Sequence, residues 1–221
     1  MGCVVILLGP PGAGKGTQAS RLGKDLALAH ISTGDLFRDN LARNTELGKR
    51  AKSFMDSGAL VPDALVLDML FDRVARPDCE KGYLLDGFPR TLPQAEAFEK
   101  ALPRGTTVRA LNLRVSDDVL LERLSGRRTC DACGNIQHML FSRPKQAGVC
   151  DKCSGKLVQR ADDSAEVVQK RLKVYREQTQ PLEAFYAARK NLTHVDGSVG
   201  SDEVFAVLRK SVQGPVMEGC R

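Results

Sequence analysis

The 221-residue sequence has no tryptophan, three tyrosines and only 5% aromatic residues. Proteins that hold single-stranded nucleic acid stack its bases on aromatic rings, so this scarcity argues against that class. No stretch reaches the ~20 apolar residues of a membrane span. The one early apolar run, residues 3–8, stops at Gly9-Pro10-Pro11 and lacks a basic flank, so no secretory leader is expected. Met1-Gly2-Cys3 begins as a myristoylation signal does, but the position that needs a hydroxyl holds Ile6. A cytoplasmic protein is expected, and disulfides are rare there. The seven cysteines then need another reason.

What is present suits one enzyme core with insertions. The length buries a real core without disulfides. A net charge of +6 attracts polyanions without saying which. Short apolar runs at 4–8, 29–31, 83–85, 110–115 and 192–195 read as strands. Helical patterns lie between them, over 16–28, 34–57, 62–74, 91–102, 116–124 and from 164 onward, with a last one over 201–212. Pro62 suits a first helical position, Gly58 a C-terminal glycine, and a bend is expected near Pro181. Strands alternating with helices imply a parallel sheet covered on both faces. Ligands bind beyond the carboxyl ends of such strands. Gly9 and Asp86 each follow a strand directly, so both are expected at that edge.

Residues 9–17 read GPPGAGKGT. Glycines let backbone N–H groups wrap a phosphate, the next helix adds its positive end, and Lys15 adds a mobile charge. The usual loop carries a hydroxyl for magnesium directly after the lysine. Here that place holds Gly16, and Thr17 comes one residue late. Either Thr17 reaches the metal, or water and other groups hold it, with Asp86 as a second anchor.

No basic side chain of the kind that deprotonates an alcohol stands out, and His30, His138 and His194 share no spacing and read as structural. An acceptor that is itself a phosphate is already ionised and needs no base. It needs cations that bring two polyanions together. Arg38 follows the Ser32–Asp35 turn, and Arg90 sits just past a strand end. Arg123, Arg127 and Arg160 border the segment at 127–160, where helical periodicity disappears, and Arg171 lies about two turns into the next helix.

That segment contains Cys130-x-x-Cys133 and Cys150-x-x-Cys153, sixteen residues apart, the spacing of a two-knuckle zinc site. Four thiolates close the coordination sphere, so the metal is structural. A redox pair or two disulfides compete with this reading, and iron also accepts four thiolates. Cys3, Cys79 and Cys220 stand alone and read as ordinary thiols.

Taken together, GPPGAGKGTQ, ISTGDLFR, GYLLDGFPRT, LSGRR, the four cysteines and QRADD resemble the adenylate kinase family of the bacterial type, over residues 4–212. In that family the lysine-glycine-threonine ending is the normal form of the loop. The resemblance implies reversible transfer of the γ-phosphate of MgATP to AMP, giving two ADP. It implies an α/β fold of the P-loop type, with five parallel strands and helices on both faces. The core would span 1–31, 62–125 and 164–221, with an AMP-binding segment at 32–61 and a zinc-bearing lid at 126–163.

The catalytic cations would be Lys15, Arg90, Arg127, Arg160 and Arg171. ATP would meet Pro10, Pro11, Gly12, Ala13, Gly14, Lys15, Gly16, Thr17, Arg123, Arg127 and the backbone of Ile136, Gln137 and Val199. AMP would meet Thr33, Arg38, Ala59, Leu60, Val61, Gly87, Phe88, Pro89, Arg90, Gln94, Arg160 and Arg171. Thr17 and Asp86 would associate with Mg2+, Asp162 and Asp163 would help the lid close, and a structural zinc would sit on Cys130, Cys133, Cys150 and Cys153. The chain departs from the family at Gln137, where an aromatic is common, and at Ser142 and Ala161. No nucleic acid or membrane partner is implied, and a monomer is expected. The alternatives are the same transfer with another monophosphate or donor, and a zinc-ribbon ATPase driven by nucleic acid.

Overall fold

A computed structural model describes residues 2–213. Its centre is β1 (Cys3–Leu8), buried along its whole length. Side chains alternate across a strand, and both faces here are apolar. Cys3, Val5 and Leu7 enter one core, and Val4, Ile6 and Leu8 enter the other. Four more strands complete a parallel sheet: β2 (Ala29–Ser32), β3 (Gly82–Asp86), β4 (Thr107–Arg114) and β8 (Leu192–Asp196), in the order β2-β3-β1-β4-β8. The α/β fold expected from the alternation is therefore present.

The register positions the site. Asp86 lies level with Leu7 on one side and Ser32 on the other. The turns after β1, β2 and β3 thus open at one edge of the sheet. The helices α1 (Lys15–Asp25) and α9 (Ser201–Val212) supply Ala19, Leu22, Val204 and Leu208 to the first core. The helices α4 (Asp63–Val74) and α5 (Leu92–Ala101) supply Val66, Leu70, Ala95 and Phe98 to the second.

Residues 34–57 form two helices rather than one, α2 (Thr33–Ala42) and α3 (Glu46–Ser57). Asn44 adopts a left-handed φ of 53°, which breaks the first helix. Thr45 then caps the second by accepting from Gly48 N at 3.1 Å. The two backbones touch, and a Cβ on Gly48 falls 2.5 Å from the Asn40 carbonyl carbon and oxygen. Gly48→Ala is therefore expected to destabilise the protein by about 2 kcal/mol, the scale of an overpacked core. Thermal melts check this, and an unchanged melting temperature contradicts it.

Other local expectations shift in detail. Pro62 is the residue before α4, not its first. Past α7 (Ala165–Val174) comes a π-helical turn, Tyr175–Thr179, and then α8 (Leu182–Ala188), so the α-helical pattern is interrupted from six residues before Pro181. Cys3 is disulfide-bonded rather than a free thiol. Cys79 is a buried free thiol, and Cys220 lies outside the described residues.

After α6 (Asp117–Ser125) the chain builds a separate antiparallel sheet. Its strands are β5 (Arg127–Cys130), β6 (Ile136–His138) and β7 (Leu157–Val158), with β5 in the middle. Its buried apolar cluster is only Cys130, Cys150 and Leu157. Among the described residues, no helix is long and apolar enough to cross a membrane.

Candidate active site

The turn between β1 and α1 is shaped by three glycines with positive φ, Gly9, Gly12 and Gly14. Gly12 is also tight, since a Cβ there falls 2.9 Å from Leu124 Cγ. The start of α1 has no side-chain cap and no acidic residue in its first turn. Its N–H groups and positive end are left to an anion. Lys15 Nζ donates to Gly9 O at 2.7 Å and to Pro10 O at 2.9 Å, so it spans its own loop. Burial pulls the Lys15 ammonium down to about 8; Asp86 offsets part of that, while Arg90, Arg171 and Arg127 add to it.

Gly16 has a steric reason to be glycine. A Cβ there lies 3.2 Å from Asp86 Oδ2, so any larger residue presses on that carboxylate. Thr17 is exposed at the start of the helix. His30 stands beside the same carboxylate, with Nε2 3.9 Å from Asp86 Oδ2 and no hydrogen bond.

Around Lys15 gather arginines from five separate parts of the chain. Arg90 Nε donates to Gly87 O at 2.8 Å. Its backbone is held at both ends, with N–H donating to Gln94 Oε1 and the carbonyl accepting from Thr179 Oγ1, each at 2.8 Å. Arg127 donates from Nε to Asp163 Oδ2 at 2.8 Å, and Arg171 from Nη1 to Asp163 Oδ1 at 3.2 Å. Arg171 also pairs with Asp162 Oδ2 at 2.9 Å. Arg160 Nε donates to Thr129 Oγ1 at 2.9 Å, and Arg38 pairs with Asp35.

These guanidinium groups repel one another. Burial first, and then Arg171, brings Arg90 down to about 10. Burial, then Arg38 and Arg127, does the same to Arg160. Burial and the neighbouring arginines also lower Arg171. Burial by itself raises the Asp162 carboxyl, but Arg171, Arg127 and Arg160 hold it below its ordinary value. Positive charge in excess of the carboxylates that pair with it, concentrated at a sheet edge, is stabilised by a polyanion.

A single cavity joins Lys15 to Thr33, Arg38, Arg90, Gln94 and Arg171. The stretch of Gly58, Ala59, Leu60 and Val61 forms another part of its wall, as do Gly87 and Pro89. Thr33 Oγ1 donates to Gly87 O at 2.8 Å, which ties the start of α2 to the end of β3. Phe88 is different: it is fully buried and packs edge-on to Phe98, so its side chain belongs to the core. The Phe88–Pro89 peptide is cis.

Arg123, Arg127, Ile136, Gln137, Arg160 and Val199 are not part of this cavity's wall. Arg123 Nη1 donates to Gly197 O at 2.8 Å, fixing the turn that carries the exposed Val199. Ile136 is exposed on β6. The Gln137 side chain is buried, donating to Asp151 Oδ2 at 2.9 Å and accepting from Asp151 N at 3.1 Å. Gln137 thus braces the two halves of the insertion. His138 is structural, as expected: Nδ1 accepts from Leu140 N and Phe141 N, while Nε2 faces Glu122 O.

The four cysteine sulfurs all lie within 4.8 Å of one another. Cys130 Sγ is 3.5 Å from Cys153 Sγ, and Cys133 Sγ is 3.7 Å from Cys150 Sγ. Disulfide sulfurs sit about 2.05 Å apart, so the paired-disulfide reading fails. A tetrahedron with Zn–S bonds of about 2.3 Å has S···S edges of about 3.8 Å, which the cluster matches. A Cβ on Gly155 falls 2.9 Å from Cys130 Sγ, so the knuckle requires glycine there. Burial raises the Cys150 thiol, but the N–H groups of Lys152 and Cys153 and the neighbouring thiols bring it down. At Cys153 the Gly155 N–H lowers the thiol but those neighbours push it up, so the cluster shares its protons as one group.

Sequence reading missed several supports. Asp63 accepts from Gln94 Nε2 at 2.6 Å and from Thr91 Oγ1 at 2.9 Å, across about thirty residues of chain. Thr179 reaches Arg90 across 89 residues. Neither pair has a local sequence signal; only the fold brings them together.

The family model described as adenylate kinase matches residues 7–191. The chain is 52% identical over 208 residues to an adenylate kinase of Lachnospira eligens, covering 93% of this chain and 98% of that one. It is 50% identical over 211 residues to an adenylate kinase of Carboxydothermus hydrogenoformans, covering 95% and 99%. An adenylate kinase of Clostridium novyi is 48% identical over 212 residues, covering 95% and 98%. With the phosphate loop, the arginine cluster and the fold already in place, these matches settle the kinship: the chain belongs to the adenylate kinase family.

Proposed function

We infer that this chain transfers the γ-phosphoryl group of MgATP reversibly to AMP, giving two ADP. The observation that carries the reading is the cluster of Lys15 with Arg38, Arg90 and Arg171 around one cavity, with Arg127 and Arg160 beside them; the carboxylate in its lining, Asp162, is paired with Arg171. An oxygen of the AMP phosphate attacks the γ-phosphorus, the bond to the β-phosphate oxygen breaks, and no proton has to be removed. The difficulty is bringing two polyanions together, and fixed cations lower that barrier.

In this reading the backbone of residues 10–17 and Lys15 hold the donor phosphates. Lys15 leaves the carbonyls of Gly9 and Pro10 for them, and the incoming negative charge favours its ammonium form. Arg123 and Arg127 flank the donor, with the turn at Val199 and the backbone at Ile136 and Gln137 against adenine. Thr33, Arg38, residues 59–61, residues 87–90 and Gln94 hold AMP. Arg160 and Arg171 reach the transferring phosphates. Asp162 and Asp163, which pair with Arg127 and Arg171, hold the lid at 126–163 closed over the core, and the segment at 32–61 moves with AMP. A closed lid keeps out water that would hydrolyse the donor.

The Asp86 carboxylate, which Gly16 leaves uncrowded, would support a hydrated Mg2+, with Thr17 as a second support. The ion, when bound, neutralises charge on the β- and γ-phosphates. The four-cysteine cluster fits a structural zinc that takes the place of a core in the insertion. The protein acts as a cytoplasmic monomer.

The test is a panel of AMP, CMP, UMP and dTMP with ATP as donor. AMP is expected to be the best acceptor by at least about tenfold in kcat/KM. A better pyrimidine acceptor, or ATP hydrolysis stimulated by DNA or RNA without ADP from AMP, contradicts the reading.

A further inference from the structure

Gln94 is 1% exposed, so solvent does not decide which way its amide faces. Two protein groups do. Its Oε1 accepts from the Arg90 N–H at 2.8 Å, and its Nε2 donates to Asp63 Oδ1 at 2.6 Å. A backbone N–H only donates, and a carboxylate only accepts. Turning the amide over sets N–H against N–H and oxygen against carboxylate, losing both bonds in a buried place. Asp63 is itself fixed, because its other oxygen accepts from Thr91 Oγ1 at 2.9 Å. Thr91 in turn caps α5 by accepting from Gln94 N at 3.2 Å.

An amide carries two N–H hydrogens and two oxygen lone pairs. One of each is used here, and one of each remains, at a residue that lines the cavity. Adenine offers a matching edge: an N6–H donor beside the N1 acceptor. Hypoxanthine and guanine offer the reverse, an O6 acceptor beside an N1–H donor. A glutamine free to flip reads both edges. One held in place reads one.

We propose that Asp63 is a positioning residue that sets acceptor selectivity, by locking the Gln94 amide in the orientation that matches adenine and mismatches 6-oxopurines. This rests on the reading above that Gln94 holds AMP, and takes the base as the part it meets. Asp63 itself does not line the cavity and acts through Gln94.

The experiment measures kcat/KM for AMP, IMP and GMP, with ATP as donor, in the wild type, Asp63→Ala and Asp63→Asn. Alanine removes the acceptor. Asparagine keeps the size but can present either a donor or an acceptor, so it serves where the alanine variant does not fold. In both variants the AMP:IMP ratio falls about tenfold, the scale of one lost discriminating hydrogen bond, mainly through a higher KM for AMP. The KM for ATP stays unchanged. A uniform loss for all three acceptors, or an unchanged ratio, overturns the proposal and leaves Asp63 a packing residue. A wild type that uses IMP as well as AMP overturns the underlying placement of Gln94 at the acceptor base, and is recognised before any variant is measured.

Discussion

Replacing Lys15 by methionine lowers turnover on the order of a hundredfold to a thousandfold, the scale of losing one fixed charge from a transferring group. The melting temperature of the ligand-free protein at pH 7 stays the same or rises. The two halves of this expectation have one cause. Burial brings the Lys15 ammonium from 10.5 to about 8, so the folded state holds that proton more weakly than the unfolded chain. Below about pH 8 both states are protonated and the full cost of the buried charge is present. Between about 8 and 10.5 the unfolded chain binds more protons, and stability rises with pH. Methionine removes the charge and keeps the apolar stem, so its advantage is largest below pH 8 and fades towards pH 10.5. Thermal melts of the two proteins at pH 7 and pH 10, beside initial rates, check it. A variant that loses both activity and stability at pH 7 shows Lys15 to be a structural residue.

Removing the metal from the four-cysteine cluster is expected to have the second large effect. The insertion buries only Cys130, Cys150 and Leu157 as an apolar cluster, too little to hold an antiparallel sheet together. Chelation under reducing conditions, or Cys150→Ser, is expected to cost about 2 kcal/mol or more and lower the melting temperature by about 4–8 °C. Activity falls with it, because Arg127 and Arg160 border the insertion and Thr129 of β5 holds Arg160. Metal analysis is expected to find one zinc per chain. A protein without metal, melting at an unchanged temperature, contradicts this role.

Local chemistry made much of this legible. The apolar runs fixed the sheet, because a strand buried on both faces has little else it can contain. GPPGAGKGT announced the phosphate loop, because only glycines allow its φ values and its contact with Leu124. The CxxC pairs announced their cluster through spacing alone. What stayed hidden depended on backbone conformation or on distant partners. The left-handed Asn44 splits a pattern that reads as continuous helix. The π-helical turn at Tyr175–Thr179 carries Thr179 to the Arg90 carbonyl, which no periodicity announces. Gly16 first reads as a missing magnesium ligand. The structure gives it a reason, since the place its side chain would take lies against Asp86.

Phosphoryl transfer is expected to pass directly between two nucleotides inside a cage of cations. Rapid-quench measurement with ATP labelled in its γ-phosphate and unlabelled AMP tests it most directly. Direct transfer puts the label in the β-phosphate of ADP at the rate ATP is consumed, with inorganic phosphate at background. Labelled inorganic phosphate as the main product, formed equally fast without AMP, contradicts it.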